Sequence, residues 1–164
     1  MKRRLVLGAA GAAALLIAGC AAPVRPRSEG SALAAWSGRL SLRIESEPAQ
    51  TFAALFDLRG APAAGELTLT SPIGTILAKA EWSPGEALLR NGSEVRRFDS
   101  VEALLQNATG AAIPIEALFA WLAGRDERIS GWQPDLSQVA GGRLRAIREA
   151  PLPRADLRIV FERA

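Results

Sequence analysis

Cys20 is the single cysteine of this 164-residue chain and directly follows Ile17-Ala18-Gly19. A thiol can act as a nucleophile, ligate a soft metal or carry a lipid. A disulfide within the chain would need a second cysteine, which is lacking. There is also no histidine. Ser-His-Asp and Cys-His catalysis are thereby excluded, and so is a thiolate–imidazole metal site. The other groups with chemistry are carboxylates. Glu45, Glu47, Asp57, Glu66 and Glu81 fall on expected outer faces or strand ends, scattered along the sequence. General acid–base work needs a positioned group with a tuned pKa, and no carboxylate pair stands out. No catalytic residue, metal or cofactor is expected.

The surroundings of Cys20 give it a different role. Lys2, Arg3 and Arg4 precede an apolar run from Leu5 to Ala18. That run is shorter than the roughly 20 residues of a bilayer-spanning helix, so residues 1–19 read as a cleaved leader. Small residues before the cut and cysteine just after it resemble the bacterial lipoprotein box, whose cysteine is acylated after cleavage. An ordinary secretory leader with an incidental cysteine is the alternative. Without the leader, Lys+Arg falls from 20 to 17 and equals the 17 Asp+Glu, and Lys79 is the one lysine left. No basic stripe remains to favour nucleic acid.

Residues 20–32 then form the lipid-bearing cysteine and a tether. Its sequence AAPVRPRSEGS carries Pro23 and Pro26 and no periodicity. Eleven extended residues reach at most about 36–40 Å, which leaves a lipid-held domain room to reorient. Residues 33–164 are expected to be one domain with one core.

Strand patterning dominates that domain. Leu40, Leu42 and Ile44 share a face opposite Arg39, Ser41 and Arg43. Phe52, Ala54, Phe56 and Leu58 alternate, then Leu67 and Leu69, then Ile76, Ala78, Ala80 and Trp82. Asn91-Gly92 predicts a hairpin in a register that sets Leu88 against Val95. The period then changes. Asp99 with Glu102 suits a helix start, ahead of Val101, Leu104 and Leu105. Pro114 suits the first turn of a second helix. In that helix Ile115, Leu118, Phe119 and Leu122 form a stripe, with Trp121 at its flank and Gly124 as a C-terminal cap. Late strands are expected over Ile129–Trp132, Arg143–Arg148 and Leu157–Phe161. The class is α+β: a curved antiparallel sheet with helices across its opening.

The turn Ser71-Pro72-Ile73-Gly74 leaves one residue unexplained. Pro72 and Gly74 are turn residues for known reasons. Ile73 is bulky, β-branched and out of place at a loop tip. It either folds back on its hairpin or faces outward for a purpose.

Taken in order, the lipoprotein box, the tether, WSGRLSLRI (Trp36–Ile44), LTLTSPIGT (Leu67–Thr75) and GAAIPIEALFAWLAGR (Gly110–Arg125) resemble the outer-membrane lipoprotein receptor LolB family. GWQPDLSQ (Gly131–Gln138) and LRIVF (Leu157–Phe161) match more loosely. The resemblance implies an unclosed antiparallel β-barrel with a helical lid enclosing an apolar cavity. It implies a monomer on the outer membrane, anchored by lipid at Cys20 and facing the periplasm, with alanine rather than aspartate after the cysteine. Such a protein accepts triacylated lipoprotein cargo from the soluble carrier LolA and delivers it to the inner leaflet of the outer membrane. Pro72, Ile73 and Gly74 would form the membrane-delivery loop. Leu40, Leu42, Phe52, Phe56, Leu67, Leu69, Ile76, Trp82, Leu118 and Trp121 are the candidates to line the acyl-chain cavity. A structural lipoprotein with a filled core remains the alternative.

Overall fold

The computed structural model describes residues 33–164. Among the described residues, nine strands form a single antiparallel sheet, and two α-helices cross its inner face. In chain order, β1 (Ala34–Ile44), β2 (Gln50–Gly60), β3 (Gly65–Thr70), β4 (Ile76–Ser83), β5 (Glu86–Asn91) and β6 (Glu94–Phe98) form a meander. Helices α1 (Val101–Thr109) and α2 (Ile115–Leu122) follow, then β7 (Trp132–Asp135), β8 (Arg143–Arg148) and β9 (Ala155–Arg163). The sheet order is β6-β5-β4-β3-β2-β1-β9-β8-β7. β6 and β7 are its two edges and do not pair with each other, so the barrel is unclosed. The α+β half-barrel expected from the sequence is present.

The alternating pattern sets which face is inside. Leu42 and Ile44, then Ala54, Phe56 and Leu58, are buried on the sheet's concave side. Their neighbours Arg43 and Arg59 are exposed. β1 lies between β2 and β9, and at Gly38 it passes very close to β9. A Cβ there would sit 2.1 Å from the Val160 carbonyl oxygen. Any side chain would force the strands apart, which gives the glycine of Trp36-Ser37-Gly38-Arg39 its physical reason.

α2 is apolar on nearly every side. Ile115 and every residue from Ala117 to Leu122 are buried, as expected of a helix enclosed all round. Phe119 stands edge-on to Trp36 (ring centroids 5.4 Å) and to Trp82 (6.4 Å). Trp121 packs against Trp132 of β7 at 5.9 Å. The single stripe expected for this helix is therefore too narrow, because the late strands cover its other side.

Several local expectations change. Ser100, not Asp99, caps α1, its hydroxyl accepting from the Ala103 amide at 3.1 Å. In the β5–β6 hairpin Asn91 pairs with Glu94, and Leu88 faces Arg97 rather than Val95. The two loop residues are Gly92 and Ser93, with Gly92 at φ 59°. Glycine at the first central position with φ > 0 fits a II′ turn, which moves the register from the Asn-Gly reading. β7 begins at Trp132, where the strand expected over Ile129–Trp132 ends, and β9 runs further in both directions than Leu157–Phe161.

The Asp156 carboxylate lies between two guanidinium groups, Arg145 Nη2 at 2.8 Å and Arg158 Nη2 at 2.9 Å. The hydrogen bond from Arg145 is the main reason its carboxyl lies well below the usual carboxylate range, and partial burial opposes the shift. A depressed folded pKa contributes stability above the unfolded value of about 3.9, and that contribution is lost as pH falls. Both arginines are substantially exposed, so solvent screening limits the gain. Asp156→Asn is expected to cost about 1–2 kcal/mol at neutral pH. In urea melts, its gap from the parent should narrow below about pH 4.

Candidate functional site

The concave face and the two helices meet in an apolar interior. A void of about 30 Å³ remains at its centre. Leu40, Leu42, Phe52 and Phe56 reach it from β1 and β2, Leu67 and Leu69 from β3, and Leu118 from α2. Leu105 and Ile113 close it from the helical side, and Leu157 and Ile159 from β9. The one polar neighbour, Thr109, turns its hydroxyl back to the Leu105 carbonyl at 2.8 Å. It offers no donor to the void. That is small beside the cavities of about 150 Å³ that admit a benzene-sized ligand, so the interior is nearly filled.

Three expected lining residues lie elsewhere. Trp82 is buried, but its Nε1 donates to the Pro62 carbonyl at 2.9 Å and its ring meets Phe119. Trp121 donates to the Glu127 carbonyl at 2.8 Å. Trp82 ties the β2–β3 loop to the α2 packing, and Trp121 anchors the loop that follows α2. Ile76 is 63% exposed. The β3–β4 register shifts between Leu69 and Thr70, so that Leu69 faces Ala78 while Thr70 faces Ile76. This bulge inserts Leu77 and turns Ile76 to the outer face, where simple alternation placed it inside. Leu58, Leu105, Leu122, Leu157 and Ile159 also line the void although sequence reasoning does not name them as cavity candidates, as does Ile113 between the helices. Periodicity is the available signal for the first five, but which of several apolar faces meets the void depends on packing.

The strand ends place the hairpin tip. β1, β3 and β5 end, and β2, β4 and β6 begin, at one rim of the sheet. The β3–β4 turn stands on that rim. The Gly74 amide donates to the Ser71 carbonyl at 2.9 Å, and the Thr75 amide donates to the Ser71 hydroxyl at 3.1 Å. Pro72 and Ile73 are thus the two central residues of a closed turn. The backbone is held by Ser71, and the Ile73 side chain is 91% exposed. From Leu67 to Ala78 the chain carries no charged residue. With Ile76, Ile73 gives the rim an uncharged apolar projection.

Four of the five carboxylates named from the sequence serve ion pairs. Glu45 meets Arg154 at 3.1 Å, Asp57 meets Arg59 at 2.7 Å, and Glu66 and Glu81 share Lys79 at 3.4 and 3.0 Å. Among the described residues, no helix is long and apolar enough to cross a membrane.

A family model described as "Outer membrane lipoprotein LolB" matches residues 34–160. Over 117 residues the chain is 34% identical to an outer-membrane lipoprotein LolB of Chromobacterium violaceum, covering 68% of this chain and 63% of that protein. It is 36% identical over 122 residues to one of Bordetella petrii, covering 71% and 60%. A third, from Azoarcus sp., is 28% identical over 179 residues, covering 96% of this chain and 92% of that one. The matches thus span about three-fifths of the length of the first two relatives.

Proposed function

This chain belongs to the LolB family of outer-membrane lipoproteins, and on that premise we propose that it receives acylated lipoproteins and passes them to the outer membrane. The observation that carries the proposal is the interior, apolar on sheet and helices alike and open to no polar group. An acyl chain in water is unfavourable by about 0.8 kcal/mol per methylene, so a transfer factor must shield it throughout. The reaction is physical transfer rather than catalysis of a bond change, and it needs no cofactor or metal. Handover without an energy source requires this interior to hold the chains more tightly than the donor and less tightly than the bilayer.

In the proposed arrangement residues 1–19 are removed and Cys20 carries the lipid. Residues 20–32, which lie outside the described residues, tether a domain of residues 33–164 to the outer membrane on its periplasmic side. The domain acts as a monomer. It takes triacylated cargo from a LolA-type carrier, and the Pro72-Ile73-Gly74 tip engages the inner leaflet during delivery. A long acyl chain exceeds a 30 Å³ void many times over. The helical cover must therefore swing outward from the sheet for cargo to enter.

The test is transfer of a lipoprotein from loaded LolA to the purified chain. Cargo is expected to move to the receptor, and retention by the carrier would overturn the reading. The nearly filled interior favours a second reading, a structural lipoprotein with an ordinary core. That alternative predicts no uptake of any apolar fluorescent ligand.

A further inference from the structure

Next to the central void lies a more open cleft of about 390 Å³. Phe52 and Leu69 belong to the walls of both, so these side chains separate the apolar interior from water. The cleft wall continues over Leu77, the inserted residue of the bulge, and Leu89 of β5. Its rim is polar. Arg96 on edge strand β6 donates through Nη1 to Asn107 Oδ1, in the last turns of α1, at 2.8 Å. That bond links the helical cover to the edge of the sheet. The guanidinium also lies 5.5 Å from the Phe98 ring centroid and 3.8 Å from Glu94.

Donors at the rim above an apolar floor suit a ligand whose oxygens sit at the root of hydrocarbon chains. The geometry points to this cleft as the seat of the ester-bearing glyceryl root of an acylated ligand, its chains passing Phe52 and Leu69 into the interior. The inference rests on the acyl-receiving reading and adds to it a subsite and a route. A guanidinium carries five N–H donors, so Arg96 can meet ester carbonyls when α1 moves and the bond to Asn107 is released. The cleft opens at the rim that bears Ile73, so chains leaving through it would emerge beside the tip. A larger cleft of about 650 Å³ involves Trp36 and Ala140 at the opposite rim and shares only Leu122 with the void.

The experiment uses the full chain with Cys20→Ala, which carries no lipid of its own. The ligands are a fluorescent diacylglycerol and a fluorescent alkane of matched chain length. Ala108→Trp, which fills the cleft from α1, is expected to slow uptake of both ligands roughly tenfold or more by occluding a tightly packed passage. Asn91→Trp at the exposed rim is the second filling variant should Ala108→Trp fail to fold. Ala140→Trp, in the opposite cleft, should change neither rate. Arg96→Leu frees α1 from β6 for both ligands alike, so it should lower diacylglycerol affinity relative to alkane affinity about tenfold, the loss expected for a charged hydrogen bond. Arg96→Lys should recover part of the loss. Slowing by Ala140→Trp alone, or equal effects of Arg96→Leu on both ligands, overturns the inference. If the parent binds neither ligand, the acyl-receiving reading itself fails.

Discussion

Ile73→Glu is expected to slow delivery of cargo into liposomes by roughly 30-fold or more while leaving folding and capture from the carrier intact. Moving an isoleucine side chain from water into an apolar phase stabilises it by about 2 kcal/mol, which is roughly 30-fold in a membrane-contact equilibrium. A carboxylate in its place adds an opposing cost at the bilayer. The turn itself does not depend on this side chain, since Ser71 makes its hydrogen bonds to the Gly74 and Thr75 amides. The melting temperature should therefore match the parent's. Ile73→Leu should deliver normally, because it keeps the apolar volume on the same backbone. The measurement is the rate at which a labelled lipoprotein leaves the loaded receptor for liposomes. Equal rates for Ile73→Glu and the parent would remove the tip from the mechanism.

The largest expected loss of stability belongs to Phe119→Ala, at about 3–5 kcal/mol. Phe119 is 3% exposed and touches both Trp36 and Trp82 edge-on. Truncation removes the burial of a whole ring, leaves a cavity between α2 and the sheet, and forfeits two aromatic pairs. Domains of this kind have only about 5–15 kcal/mol in total, so the variant should unfold at much lower urea. A loss below about 1 kcal/mol would mean that α2 is held mainly elsewhere. The Trp121–Trp132 contact at 5.9 Å would then be the place to look.

The half-barrel was legible because its strands have one wet face. In β1 and β2 the alternation of Leu42 and Ile44 with Arg43, or of Phe56 and Leu58 with Arg59, records burial directly. The same logic failed at Ile76. Period-two reading assumes an unbroken pleat, and the bulge at Leu77 shifts everything before it by one face. No residue type in Thr75-Ile76-Leu77 announces that insertion. Trp82 and Trp121 show a different limit. Both are buried, as their size suggests, but a sequence does not say whether a buried indole borders a void or anchors a loop through its N–H. The hairpin at Asn91-Gly92 was placed correctly and slipped in register, because glycine can occupy either central position with φ > 0. The filling of the interior was not legible at all, since the same leucines and phenylalanines can line a hollow or a solid core.

The ion pairs on the convex face belong to that same distinction between the two sides of the sheet. Lys79, shared between Glu66 and Glu81, is held charged chiefly by its hydrogen bond to Glu81. Such exposed pairs contribute little to stability, and salt should weaken them without unfolding the domain.

Leaving the sheet unclosed carries a hazard that a full cylinder would avoid. β6 and β7 are the two edges of the sheet, and an edge strand with unpaired backbone groups can template strand addition from a neighbouring molecule. Copies anchored to one membrane surface, as proposed above, would meet often, at high local concentration. Each edge carries its own guard. β6 is five residues long and bears Glu94, Arg96 and Arg97, while β7 is four residues long and contains Pro134, which has no amide proton to offer. Short, charged and proline-blocked margins let the sheet stay open without that gap becoming the start of a polymer.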